Sequence, residues 1–397
     1  MARQLGVSRL CDVKRFLLPV LTLSLAVSAQ AAPFTLTLST SEQKIEKGNV
    51  KNYPVRKSWV LPADGIAASK KHNKFSSQLS AKLSGIEKQV NARKPLPATF
   101  KNVGGTWIAA DQNGWIFDRD GTKANILKAI KAGKNTAQVA FKVVKPQRSV
   151  QLLAQRGVLN YVTTGTSSYA GSPDFREKNI LVGASKLDNF FIAPGHVFDF
   201  NNEIGQIDAS TGFVKGFVIS DGTLQKEDGG GICQVSTTIF RALYKAGLPI
   251  VERHDHSHRV KYYDPVGFEA TVYAPDLNLK MKNDTGKYLF VQAGWDKQAQ
   301  SLRFDIFGAN TGRTVNISKP VITNFKAPPK KPSYTQDNRV ALNTRRLLDQ
   351  PMQGMTSVIT RTIKVKGKTI STHKLKSTYA PWAAVYGVNP KDKRLKD

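Results

Sequence analysis

The sequence predicts an exported, multi-domain α+β chain, and three observations carry that reading. Helix-period runs (Phe75, Leu79, Leu83, Ile86, Val90; then Val235, Ile239, Ala242, Ala246) share the chain with strand-period runs such as Phe34–Leu38 and Val358–Val365. A length of 397 residues leaves room for two or three cores, and 40% hydrophobic with 22% charged residues is globular composition, which excludes a disordered chain. The N-terminus has the layout of a secretory signal, with Arg3, Arg9, Lys14 and Arg15 ahead of the apolar run Phe16–Val27 and Ala29-Gln30-Ala31 as a small-x-small cleavage site.

Residues 1–31 are therefore expected to leave as a signal peptide, taking Cys11 with them. The apolar run is short for a membrane span and no later segment approaches the required length, so at most peripheral membrane contact is expected. Of two cysteines only Cys233 would remain, without a disulfide partner. The signal segment carries four basic residues and Asp12, a net of +3, so the formal charge of +30 becomes +27. Such a surface seeks anions. Lys and Arg are spread along the chain without a nucleic-acid module, and export leads away from DNA and RNA, so no nucleic-acid partner is expected. Carboxylates and phosphates of a cell wall fit the compartment.

Residues 32–92 begin with the alternating Phe34–Leu38 strand and continue, over Ile66–Asn91, as an amphipathic helix whose outer face carries Lys70, Lys71, Lys74, Lys82 and Lys88. A solvated face is the ordinary role of such lysines. Residues 93–148 read as a small α+β unit: strands at Ala98–Phe100 and Thr106–Ile108, a helix over Thr122–Ala132 between Gly121 and Gly133, and a closing strand through Val139, Phe141 and Val143. The succession NARKPLPATF, WIFDRDGTKANILKAI and TAQVAFKVVKPQ resembles the domain, described as peptidoglycan-binding, that precedes VanW domains. On that resemblance Trp107 and Trp115 are candidate binding residues that could stack on sugar rings, with core packing as the alternative.

Asp228–Leu248 (DGGGICQVSTTIFRALYKAGL) organises the 158–310 domain. Gly229, Gly230 and Gly231 mark a loop in which backbone approaches something closely. Helical spacing follows, with Phe240 and Leu243 widening the apolar face and Lys245 and Gly247 as C-terminal signals. Cys233 thus falls in the first turn of a helix, where free N–H groups and the positive dipole end favour thiolate. The alternative is a small buried hydrophobe behind a glycine turn. With REKNI (Arg176–Ile180), PGHVFDFNNEIG (Pro194–Gly205), ERHDHSHRVKYY (Glu252–Tyr263), GFEATV (Gly267–Val272) and DLNLKMKN (Asp276–Asn283), this stretch resembles the VanW family. The resemblance implies a mixed, β-rich domain in a cell-envelope setting, with Gly229, Gly230, Gly231, Gln234 and Arg253 in its matched segments as candidate binding residues. Glu269 stands where members often carry Asp.

His254, His256 and His258 alternate, and on a strand they would share a face able to hold a metal such as zinc. The preferred reading assigns no metal and no cofactor. It takes one histidine: cysteine on a helix N-terminus followed by histidine on a strand is the chain order of papain-like thiol enzymes, and the VanW resemblance, whose pattern fixes His256 with Ser257 after it, implies that His256 is the candidate base. Asp276, Asn278 and Glu269 are open as the orienting third group, with Asp276 the working assignment. Beyond the strands Tyr288–Ala293 and Ser301–Phe307, a Pro/Lys-rich linker is expected over 311–340, centred on Lys326–Pro332. A β-rich tail over 341–397 follows, with a hairpin turning at Lys366-Gly367-Lys368. Two functions stay open: an envelope protein that binds peptidoglycan or anionic wall polymers, and a thiol enzyme acting on wall peptides through Cys233. The oligomeric state is left open.

Overall fold

The computed structural model describes residues 33–220 and 223–395, so the expected signal segment lies outside the described residues. Its fold is α+β, in three units in chain order. The first comprises β1 (Thr35–Glu46), β2 (Asn49–Val60), α1 (Ala63–His72), α2 (Ser77–Asn91), β3 (Leu96–Val103), β4 (Thr106–Gln112), β5 (Gly114–Phe117), α3 (Arg119–Lys131), β6 (Thr136–Gln138) and β7 (Phe141–Val144). Its sheet runs β2-β1-β4-β3, with β6 added parallel to β1, while β5 and β7 pair separately.

Two corrections concern this unit. The boundary expected at residue 92 cuts through one body, because β1 and β3 belong to the same sheet and Leu36, Leu83, Trp115 and Ile126 share one core. The long helix expected over Ile66–Asn91 is two helices. Asn73 ends α1 in the left-handed region at φ 50°, and Ser76 starts α2 by accepting from the Leu79 N–H. The closing strand is likewise divided, since β6 pairs with β1 and β7 with β5.

The second unit contains α4 (Val150–Gln155), β8 (Asn160–Ser168), α5 (Asp174–Lys186), β9 (Phe190–Ile192), β10 (Val197–Asp199), α6 (Phe200–Ile204), β11 (Lys215–Ser220), β12 (Thr223–Asp228), α7 (Ile232–Lys245), β13 (Ile250–Glu252), β14 (Lys280–Lys282), β15 (Leu289–Asp296) and β16 (Ser301–Gly308). Antiparallel strands in the order β8-β16-β15-β9 form the sheet on which α7 lies. Val235, Ile239, Ala242 and Leu243 of α7 are fully buried there with Phe304 and Ile306 of β16. Helix and sheet approach so closely that a Cβ on Gly165 of β8 would stand 2.3 Å from the Ala242 nitrogen. Only glycine fits.

The third unit corrects the expected linker. Within 311–340, β17 (Arg313–Ile317) and β18 (Val321–Lys326) both pair with β21 (Gly354–Val365), and β19 (Ser333–Gln336) pairs with β23 (Val385–Val388). The Pro-rich run between β18 and β19 is a connection between strands. β20 (Arg346–Asp349) completes the smaller sheet, and β22 (Lys368–Tyr379) forms the expected hairpin with β21 around Lys366 and Gly367. Among the described residues no helix is long and apolar enough to cross a membrane.

Candidate functional site

The glycine run is shaped by the protein's own packing. Gly229 and Gly231 have φ of 86° and 110°, a region costly for other residues. A Cβ on Gly229 would meet Ile207 at 2.4 Å, and one on Gly231 would meet the Arg176 side chain at 2.9 Å. Gly230 is buried and its carbonyl accepts from Asn179 Nδ2 at 3.0 Å. What approaches this loop is α5 and the Ile207 segment. Gly231 then ends the turn as the N-cap of α7, which leaves Cys233 in the first turn, half-buried.

The polar residues after Cys233 fasten the helix to its neighbours. Ser236 Oγ donates to the Ala270 carbonyl at 2.6 Å, and the Ala270 N–H donates to Thr237 Oγ1 at 3.1 Å. Thr238 meets Ser167 of β8 at 2.6 Å, while the Arg241 guanidinium donates to the Phe268, Tyr263 and Thr166 carbonyls. Ser236, Thr237 and Arg241 thereby satisfy buried backbone groups, and Thr238 and Ser167 satisfy each other. Together they lay Phe268–Val272 along α7, with Val272 beside the sulfur and Phe268 beside Arg241.

The Cys233 thiol donates to the Val272 carbonyl at 3.5 Å and lies within the electrostatic reach of the His256 imidazole. His256 is buried, stacked on Tyr263 at 4.7 Å between ring centroids, and its Nδ1 is 3.2 Å from Glu269 Oε2. That contact is an ion pair whose N–H is off line for a straight hydrogen bond. Glu269 is 2% exposed, and its Oε1 accepts from the Tyr379 hydroxyl at 2.6 Å. Thiol, imidazole, carboxylate and phenol form one chain.

Electrostatics favour the ionised form of that chain. Burial pushes the Cys233 thiol up, but the hydrogen bond and positive charge of His256, with help from the Val272 backbone and Thr271, bring it below its ordinary value. Burial pulls His256 down, yet Glu269 and Cys233 raise it to about 9. Burial also opposes ionisation of Glu269, and the charge of His256, the Tyr379 hydrogen bond and Arg253 overcome it, holding the carboxyl below its usual range. His258, buried and beside His256, is lowered to about 4. Cys233 and His256 line a cleft of about 1830 Å³, together with Tyr263, Thr271 and the β20 segment of the third unit. Drug-sized pockets occupy roughly 300–1,000 Å³, so this one has room for part of a polymer.

Residues 175–307 match the family model described as VanW like protein. This stretch of the chain is a VanW-like domain. It is 28% identical over 237 residues to the uncharacterized protein YoaR of Bacillus subtilis, covering 59% of this chain and 73% of that one. It is 30% identical over 112 residues to the vancomycin B-type resistance protein VanW of Enterococcus faecalis, covering 27% of this chain and 40% of that one. Among solved structures, HP0197-G5 matches at 19% identity over 19% of this chain and 97% of its own, with a TM-score of 0.10, a value that fixes no fold for the chain.

Within the VanW domain, Asp276 is exposed on the cleft rim, and the carboxylate at the His256 ring is Glu269. The assignment of Asp276 as third group is corrected accordingly. The cause is the fastening of this segment to α7, with Ala270 held by Ser236 and Thr237 and Phe268 held by Arg241 on either side of Glu269. Asn278 is engaged with Asp199, at 2.7 Å, and with the backbone of α6. The three histidines do not share a strand face. Apart from one bridge between His254 and Thr271 the segment is irregular, and each ring finds its own partner: His254 meets Glu252 at 3.1 Å, His256 meets Glu269, and His258 stacks on Trp382.

Gln234 and Arg253, expected to bind a ligand, are committed inside the protein. Gln234 is fully buried between Arg176 and the Ser168 carbonyl. Arg253 donates to the Glu269 carbonyl at 2.6 Å and to Ser377 Oγ at 3.0 Å. Trp115 is also a core residue, 2% exposed under the Arg93 guanidinium, which corrects its candidacy as a sugar platform. Trp107 is half-buried, stacked on Tyr161, and lines a second cleft between the N-terminal unit and the VanW domain. Tyr379 had no sequence signal, and Tyr263, though it ends the matched ERHDHSHRVKYY segment, has no role assigned by that resemblance.

Proposed function

We propose that this chain is an exported cell-envelope protein that acts on wall peptides as a cysteine-dependent acyltransferase or hydrolase. The observation that carries the proposal is the chain Cys233, His256, Glu269, whose nucleophile end opens into a cleft large enough for a polymer segment. The Cys233 thiolate attacks an amide carbonyl, a thioester forms as the C–N bond breaks, and the His256 imidazolium gives its proton to the departing amine. Neutral His256 then takes a proton from water or an acceptor amine as that group attacks the thioester, which releases the acyl group and restores the thiolate. Glu269 holds the ring and its charge throughout. VanW-family relatives fit a cell-envelope protein. The charge of +30, or +27 without the expected signal segment, supports association with anionic wall polymers, a role that would also suit a noncatalytic binder.

Purified peptidoglycan and wall peptides incubated with the protein, followed by mass spectrometry for cleaved or exchanged acyl groups, test the proposal. Cys233→Ser and His256→Ala should each abolish the same reaction, because nucleophile and base act as a unit. His254→Ala, whose ring pairs with Glu252 instead of the chain, should retain it. Full activity in Cys233→Ser would overturn the catalytic reading, and wall sedimentation without any reaction would leave a wall-binding protein.

A further inference from the structure

The third unit lies outside the family match and against the site. Its contacts with the VanW domain are specific along their whole length. The Ala380 N–H donates to the Ser257 carbonyl at 2.7 Å, the Thr378 N–H to Asp255 Oδ2 at 2.5 Å, and Arg361 Nη1 to the Tyr244 and Leu248 carbonyls at 2.9 and 2.8 Å. Trp382 stacks on His258 with centroids 3.7 Å apart and planes 9° from parallel. Gly267, at φ 84°, passes so close to β21 that a Cβ would stand 2.4 Å from Ser357 Oγ. Each contact grips Arg253–His258 or Gly267–Glu269, the two stretches that carry the imidazole and the carboxylate, or the end of α7.

Tyr379, the last residue of β22, reaches furthest. Its oxygen accepts from the Gly267 N–H at 2.9 Å, so its own proton is directed at Glu269 Oε1, 2.6 Å away. The other carboxylate oxygen faces His256. A buried carboxylate with one oxygen tied to a phenol keeps both its ionisation and the orientation of its second oxygen. We propose that Tyr379 is a positioning residue for Glu269, so that the reactive state of Cys233 exists only while the C-terminal β module is docked on the VanW domain. This rests on the thiol-enzyme reading and adds a control to it: undocking the module withdraws the phenol and the wall of the cleft that β20 supplies. The alternative for Tyr379 is plain packing in its small cluster with Val266 and Met355.

The rate of iodoacetamide labelling of Cys233 against pH separates these roles. The charged and titratable groups around the carboxylate are Arg241 from α7, Arg253, His256, His258 and Tyr379, with Tyr263 beside the sulfur and ring. Tyr379→Phe removes one hydroxyl and keeps the ring. The midpoint for thiolate formation should rise by about one pH unit, so that labelling well below the midpoint slows about tenfold, the expected effect of losing a hydrogen bond to a charged group. In a Glu269→Gln background the same substitution should move the midpoint no further. An unchanged midpoint in folded Tyr379→Phe, or an equal shift in both backgrounds, would overturn the proposal. If Tyr379→Phe does not fold, Glu269→Asp decides: a carboxylate one methylene shorter cannot span phenol and imidazole, so its midpoint must rise, and an unmoved one refutes the bridge. A wild-type midpoint at or above the free-thiol value of about 8.5 would sink the underlying thiol-enzyme reading instead.

Discussion

Replacing Glu269 with glutamine tests the electrostatic core of the site. The side chain is isosteric, is 2% exposed, and loses only its charge. His256 is raised from 6.5 to about 9 against the pull of burial, with Glu269 the foremost raising influence. That rise corresponds to a preference for the imidazolium on the order of 3 kcal/mol. Without the carboxylate, burial prevails and the ring turns neutral at pH 7. The thiol then loses its positive neighbour and returns to about 8.5 or above, where at most about 3% is thiolate at neutral pH. Labelling of Cys233 by iodoacetamide at pH 7 should therefore slow by about tenfold or more. A stability signature accompanies it. Because His256 is raised on folding, its own contribution is fully present below about 6.5 and is lost as pH climbs through about 9, while the lowered Cys233 thiol contributes the opposite slope. Urea denaturation of Cys233→Ser, where only the histidine's slope is left, should therefore show stability falling across that window, and Cys233→Ser with Glu269→Gln a flatter profile. Superimposable labelling profiles for wild type and Glu269→Gln would refute the reasoning.

His258 supplies the opposite slope: it is lowered to about 4 chiefly by burial, so stability is intact above about 6.5 and falls as pH drops toward 4, by on the order of 3 kcal/mol. His258→Phe, which keeps a ring against Trp382, should flatten that acid limb in urea denaturation at pH 4.5 and 7, and an unaltered limb would show that other groups cause it. Gly165→Ala places a methyl 2.3 Å from the Ala242 nitrogen and 2.4 Å from the Thr238 carbonyl oxygen, backbone atoms that cannot step aside. Its thermal unfolding should come at lower temperature, for a destabilisation of at least about 1–3 kcal/mol, and an unchanged Tm would mean that β8 and α7 are less tightly apposed than described.

Features written in neighbouring residues were legible in the sequence. The α7 helix and the first-turn place of Cys233 follow from the glycine run, the apolar spacing and the Lys245 and Gly247 stop signals, all local effects of backbone freedom and periodicity. The β21–β22 hairpin likewise follows from alternation around Lys366 and Gly367. Chain order together with the VanW resemblance made His256 the candidate partner of Cys233. Tertiary structure decided the rest. β17 and β18 read as linker because a strand at a sheet edge is defined by its partner, and β21 lies tens of residues further on. Between Asp276 and Glu269 no local pattern discriminates: the choice depends on Ser236 and Thr237 binding a segment 33 and 34 positions away. Tyr379 is 110 positions from the carboxylate it holds. Periodicity and capping act within a few residues along the chain, whereas a buried charge is satisfied by whichever donors the packed core brings within about 3 Å, and that proximity exists only in the folded molecule.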